Sequence, residues 1–218
     1  MRRLLVGIAV FLLVVLAIGV PLVVLESAPV TRALTSRYSD AQTVGLPPQR
    51  MLELAEQVRA FVVAGKGTLP NQVDGRSGFD ASAVSHLADV RQVLRGAHLL
   101  TGLIAAVLAV WLGWAVARRR LVDVASVLKF GSIATVGPLV LAAAFALSDF
   151  EWFFSAFHGL FFRAGTWTFP FDSLLIQLFP EPFWAVLGAA WAALVGLMAV
   201  TFGLAGVVLS RNAFAPKG

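Results

Sequence analysis

Four stretches of this 218-residue chain stay apolar for long enough to cross a membrane. The hydrocarbon of a bilayer is ~30 Å thick, and a helix needs about 20 residues to cross it. Inside it every backbone N–H and C=O must be paired within the segment, so runs of this kind are read as helices. The runs are Leu4–Leu25, Ala97–Ala117, Val127–Leu147 and Phe183–Leu209. The third carries Gly137-Pro138, a pair that predicts a kink. Met1-Arg2-Arg3 before the first run also begins like a signal peptide. That run is longer than a signal peptide's apolar region, and no A-x-A-like cleavage site follows, so it reads as an uncleaved anchor.

Composition agrees. Hydrophobic residues make up 59% of the chain and charged ones 13%, with a mean hydropathy of +0.84. Soluble domains carry about 25% charged residues. There is no cysteine, which excludes thiol nucleophiles, disulfides, thiolate zinc sites and iron–sulfur clusters. The pI near 10.7 invites a nucleic-acid reading, but the charges are sorted by side of the membrane. With both termini inside, the inner face holds Arg2, Arg3, Arg118, Arg119, Arg120, Lys129, Arg211 and Lys217 against the single acid Asp123. The other nine bases and eleven acids then lie outside. The short 118–126 loop, with its arginine triplet, fixes that orientation by the positive-inside rule. Nucleic acid is not an expected partner.

The expected architecture is therefore an all-α membrane protein. Its spans are 1–25, 97–117, 127–147 and 183–209, with a cytoplasmic loop at 118–126. A small extracytoplasmic helical cap covers 26–96, an outer interfacial aromatic segment covers 148–182, and a cytoplasmic tail covers 210–218. In the cap, Met51, Leu54, Ala55, Val58, Phe61 and Val62 recur at helical spacing after a pair of prolines. "GKGTLPNQVDGRSG" reads as a turn-rich loop. Asp80 then stands as the N-cap of a helix whose stripe Ala83, Leu87, Val90, Leu94 and Ala97 leads unbroken into the second span.

The outer segment is the most unusual part. Residues 151–184 hold half of the aromatic side chains, more than two interfacial belts require. Phe154, His158 and Phe162 share one helical face, and Phe153, Phe157 and Phe161 the next. Gly165 and Pro170 end that helix. Asp172 is placed to cap a second one over 173–179, closed by Pro180. Two short helices in the interface would make a dry groove open to lipid, with His158 in it.

His158 alone suits a histidine at head-group depth that bonds a carbonyl. His86, three residues before Asp89 on one helix face, adds a second imidazole with a carboxylate that can orient it. His98 lies within the start of the second span and reads as a structural residue. His86, Asp89, His158 and Asp172 together also form a mixed N/O zinc set of the kind used in metal-assisted hydrolysis, although no H-E-x-x-H pattern is present. A haem role for His98 has no second ligand at matching depth, while a non-enzymatic four-helix scaffold is the remaining alternative. The small residues Ala189, Ala193 and Gly196 in the fourth span permit close helix packing. No charged residue sits in mid-span, as ion relays require.

"SHLADVR" followed by "FHGLFF…GTW…D…LI…FPEPFW", set between four apolar runs, resembles the bacterial lipoprotein intramolecular transacylase family, Lit. The likeness extends over the whole layout. It departs from the family pattern at Ala83, Leu87, Ala164 and Gly165. The resemblance implies transfer of one acyl chain within a diacylated lipoprotein, from the sn-2 glycerol ester to the α-amino group of the N-terminal cysteine. It implies that His86 and His158 carry the chemistry, that the partners are the lipoprotein and membrane lipid in the outer leaflet, and that no cofactor is needed.

The residues are consistent with that reaction. Ester-to-amide transfer runs downhill, and no nucleotide-binding loop or G-x-S-x-G elbow is present. Neutral histidine, with a pKa of about 6.5, is a competent base toward an amine of about 7.7–8.0. A second imidazole can serve the oxyanion or the leaving oxygen. On this reading His158 is the base and His86 the donor, or the reverse; Asp89 orients His86, and Trp167, Asp172 and Glu181 shape the groove. Arg91 and Arg163 are candidate contacts to phospholipid or peptide, while Ser85 and Ser155 lack any sign of activation.

Overall fold

The structure, a computed structural model, describes residues 2–214. Lys217, counted above among the inner bases, lies outside that range. Four helices are long and apolar enough to cross a membrane, matching the four runs in the sequence. They are α1 (Arg2–Leu25), α5 (Ala81–Ala117), α6 (Leu121–Ser148) and α9 (Glu181–Phe214). Between them come α2 (Ala28–Tyr38), α3 (Ala41–Val44), α4 (Pro48–Val63), α7 (Phe150–Phe161) and α8 (Leu174–Leu178). A two-residue hairpin, β1 (Gln72–Val73) and β2 (Arg76–Ser77), pairs Gln72 with Ser77 and Val73 with Arg76. The chain divides into two units.

The first unit comprises Met1–Leu22, His98–Ala144 and Trp191–Gly218. Most apolar side chains on its helices are not covered by protein: Leu103, Val110, Ile133 and Leu204 are all exposed. Such a surface suits hydrocarbon rather than water. The helices meet through small residues and one apolar cluster of Ala9, Leu13 and Val127. Gly131 lies against Leu13, and Gly206 of α9 lies against the α6 backbone at Ala125. At one end, Arg2 donates to Asp123 from Nε at 2.8 Å and from Nη2 at 2.6 Å. Arg120 also approaches Asp123, at 3.8 Å. Asp123 in the first turn suits the positive end of the α6 dipole. With these partners the helix starts at Leu121, well ahead of the span start at Val127 read from hydropathy.

The second unit comprises Val23–Ala97 and Phe145–Ala190. Its core draws Leu54 and Phe61 from α4, Phe79, Leu87 from α5, and Leu174, Leu178 and Phe183 from α8 and α9. All six of the apolar residues expected to line α4's inner face are buried. Asp80 caps α5 as anticipated, its Oδ1 accepting from the Ala83 N–H at 2.7 Å, and α5 continues to Ala117 without a break. Ser39 of the α2–α3 connection donates to the Leu178 carbonyl at 2.7 Å, tying the cap to α8.

Two local readings need correction. The cap of α8 is Ser173, whose Oγ accepts from the Ile176 N–H at 3.4 Å; Asp172 is one residue too early. The 65–78 stretch is not merely loop, because Asp74 and Gly75 both take positive φ and fold it into the hairpin.

A methyl group added at Gly206 would stand 2.9 Å from the Ala125 carbonyl oxygen and 3.0 Å from the Lys129 nitrogen. Backbone cannot yield as a side chain does, so Gly206→Ala is expected to cost about 1–3 kcal/mol. Thermal unfolding in detergent should show a lowered midpoint. Gly113→Ala, which meets nothing, should leave it unchanged or slightly raised.

Candidate active site

His86 lies on the second turn of α5. The same periodicity that turns Ala83 and Leu87 into the core turns the imidazole inward, and it is 7% exposed. His158 lies in the last turn of α7, a helix started by Asp149, whose Oδ1 accepts from the Trp152 N–H at 2.9 Å. The two imidazoles face each other with ring centroids 6.2 Å apart.

Aromatic rings enclose the pair. Phe162 stands edge-on to His86 at 4.9 Å, and Phe169 approaches the same ring at 5.6 Å. His158 lies 3.9 Å from Phe154 and 4.8 Å from Trp167. Trp184 flanks Phe154 at 6.2 Å and anchors its own indole N–H on the Phe179 carbonyl at 2.8 Å. The walls are therefore apolar, with His86 buried and His158 half-buried among them.

The two rings differ in hydrogen bonding. His158 Nδ1 is 2.9 Å from the carbonyl oxygen of Phe154, one turn back. A carbonyl only accepts, so Nδ1 carries the proton. In the neutral ring Nε2 then holds a free lone pair. His86 Nδ1 is buried without a hydrogen-bond partner. A buried N–H with no acceptor is the costlier of its two options, so the neutral ring places its proton on Nε2.

Burial pushes His158 below the ordinary histidine value of 6.5, and the bond to the Phe154 carbonyl pulls it part of the way back.

The remaining candidates are divided. Trp167 joins the site, with its Nε1 buried and unbonded among these rings. Asp89 shares the helix with His86, but its side chain is exposed and makes no hydrogen bond to the imidazole. It acts on His86 through its charge alone, so its expected orienting role is not supported. Asp172 lines a different cleft, with Arg76 and Gln177. The mixed zinc set is not assembled: among the described residues, no three His, Asp or Glu side chains are grouped as a metal would require. Arg91 stacks over Phe61 at 4.7 Å, Arg163 and Ser85 are exposed, and Glu181 opens α9, where an acid suits the helix dipole. His98 lies three turns further along α5. Phe169 and Trp184 were not singled out from sequence. Phe169 follows the break at Gly165, where periodicity no longer assigns a face.

Four apolar helices, and a unit that folds two imidazoles into an aromatic enclosure, define a multi-pass membrane protein with a histidine-pair site. Residues 5–184 match the family model of the lipoprotein intramolecular transacylase Lit, and the chain belongs to that family of acyltransferases. A search of the curated proteins found no match. Solved structures of the membrane-integral transacylase Lit from Bacillus cereus share the fold. One, of a variant with a histidine replaced by alanine, is 15% identical with a TM-score of 0.72, covering 97% of this chain and 94% of that one. A second, with histidine replaced by arginine, is 15% identical with a TM-score of 0.71 and covers 97% and 93%. A third is 16% identical with a TM-score of 0.68 and covers 97% of each chain.

The environment of His158 gives a direct expectation. Its imidazole should titrate below 6.5 when followed by ¹⁵N NMR of histidine-labelled protein, with His158→Gln identifying the resonance. The unfolded chain protonates this group more readily than the folded one does. The fold therefore loses stability as pH falls below about 6.5.

Proposed function

We propose that His86 and His158 catalyse transfer of the sn-2 acyl chain of a diacylglyceryl lipoprotein to the α-amino group of its N-terminal cysteine. The observation that carries the division of labour is the Nδ1–H bond from His158 to the Phe154 carbonyl, 2.9 Å long. It leaves Nε2 as the base and holds the ring in place. Desolvation keeps that ring neutral near pH 7, the state a base must be in.

The steps balance within one substrate and two side chains. The amine nitrogen attacks the ester carbonyl carbon, and His158 Nε2 takes its proton. The carbonyl oxygen gains the electron pair, facing the Nε2–H of His86. As the intermediate collapses, the C–O bond to glycerol breaks and His86 delivers its proton to the leaving oxygen. Proton transfer from His158 to His86, across rings 6.2 Å apart, restores both. The products are an amide on cysteine and a free glycerol hydroxyl. Amine and ester belong to one molecule, so holding them together supplies much of the rate; effective molarities of ~10⁵ M or more are reached by well-oriented groups. The aromatic walls do that holding and exclude water, which would otherwise hydrolyse the ester.

The outer face is the proposed location, with both termini inside. The arginine triplet 118–120 supports this orientation. So does α7, whose outward residues Trp152, Phe157 and Leu160 are exposed and apolar, as a helix lying on lipid requires.

Two experiments test this reading. With a synthetic diacyl lipopeptide and mass spectrometry of the product, His158→Gln is expected to lower the rate about 10²–10⁴-fold and His86→Ala comparably. A wild-type rate in either variant would remove that residue from the chemistry. The native chain has no cysteine, so single thiols report topology cleanly. Ser82→Cys should react with a membrane-impermeant maleimide in intact cells, and Arg118→Cys only after permeabilisation. The reverse pattern would invert the proposed orientation.

A further inference from the structure

The second unit holds a cleft of about 250 Å³ that the reaction above does not use. Its floor is apolar, formed by the buried side chains of Val44, Val73 and Leu174. Its rim is polar, formed by Arg76 of β2, Asp172, and Gln177 of α8. Such a cleft is small and mainly polar at its surface, which suits a peptide backbone better than a lipid chain.

The rim is held in place by backbone. Gly45 ends α3 with φ +68, and the Arg76 guanidinium occupies the space a Cβ there would fill. Only glycine provides both the conformation and the room. Arg76 is thus kept at the mouth of the cleft, yet among the described residues neither it nor Asp172 makes an ion pair or side-chain hydrogen bond. One cation, one anion and one amide line the opening, with Arg76 and Asp172 exposed to solvent.

The cleft is also near the histidines. Phe169 touches the His86 ring at 5.6 Å. Asp172 is three residues further on, so its Cα lies within about 11 Å of that of Phe169; with the Phe169 side chain and the ring separation added, the cleft lies within roughly 20 Å of the His86 ring. A turn closed by the Ser173 N–H on the Pro170 carbonyl, at 3.0 Å, shortens that span.

We propose that this cleft receives the polypeptide that follows the acylated cysteine of the lipoprotein substrate. The inference rests on the transacylase reading of the histidine pair. In that reaction the acyl chains belong among the aromatic rings, and the one long polar part of the substrate is the polypeptide leaving the cysteine carbonyl. An extended chain covers roughly 20 Å in about six residues, which brings the residues near the end of that stretch over Val73 and Leu174. Gln177 offers both a donor and an acceptor to peptide groups, and Arg76 and Asp172 bind carbonyls, N–H groups or side-chain charges. Arg76 and Asp172 therefore select among lipoproteins by the residues after the cysteine.

Binding of ether-linked substrate analogues, which cannot transfer an acyl chain, tests this separately from catalysis. The probes are dialkyloxypropyl-cysteine alone and the same lipid amino acid followed by six residues. Their dissociation constants are measured on the full-length protein in detergent for wild type, Arg76→Ala and Asp172→Ala. Wild type is expected to bind the longer probe about ten-fold tighter, the order supplied by one charge-assisted hydrogen bond. In each variant that ratio should fall toward one. The comparison is made in variants that keep the wild-type thermal midpoint in detergent, with Arg76→Lys or Asp172→Asn replacing any that does not, so that misfolding is separated from an altered cleft. Equal affinities in wild type would overturn the proposal. So would a ratio unchanged by both substitutions, or equal weakening of both probes by Arg76→Ala, which would mark the cleft as a lipid head-group site. If the ratio behaves as expected but the ester-linked lipopeptide is not turned over, the catalytic reading fails and the peptide cleft stands.

Discussion

Leu54, Phe79 and Leu178 are shut away from solvent, and they come from three segments far apart in the chain. Their mutual burial draws α4, the start of α5 and α8 into one core. Each such side chain contributes about 1.5–3 kcal/mol by leaving water, and the group sets the rotation of α5. Once Ala83 and Leu87 are committed to that core, His86 between them has to face inward. The stretch from Phe169 to Phe179 is fixed by the same packing, which brings Phe169 onto the His86 ring. The two imidazoles are thus placed by a hydrophobic core that contains no titratable group of its own.

Around that core the site applies one physical idea twice. An apolar enclosure makes charged imidazole expensive, so the rings stay neutral. Within it, a single backbone carbonyl decides which nitrogen of His158 keeps the proton. His86 has no such carbonyl at its Nδ1. In the proposed reaction two identical side chains thereby take opposite parts, one accepting a proton and the other offering one. Asp89 contributes no such control, because three residues along a helix places it on the correct side but its short side chain stays in solvent.

The sequence revealed much of this, for identifiable reasons. Apolar length located the four long helices, since membrane thickness leaves little choice. Helical spacing found the buried face of α4 residue by residue, and Asp80 was recognisable as a cap because an acid precedes an apolar stripe. His86 and His158 could be named, although nothing in their spacing fixed how close their rings come. The failures share a cause. Asp172 was assigned as cap and groove wall because it precedes a helix among aromatics, yet Ser173 caps that helix and Asp172 turns to another cleft. Those choices depend on turns at Gly165 and Pro170, where no periodicity relates one residue to the next. The zinc set failed likewise, because four suitable side chains in one list need not converge on one point.

None of the residues of α7 is buried. The helix that bears His158 is held by ring contacts along one side, by its cap and by its junctions with neighbouring segments. Its other side has no protein against it, so whatever amphiphile wets that surface bears on the distance between the two imidazoles. Acyl-chain length, head-group packing or the choice of detergent thereby acts as a mechanical setting on the reactive geometry. For the proposed reaction, a preparation can keep every helix and still work slowly, because one side of α7 meets only the surrounding amphiphile.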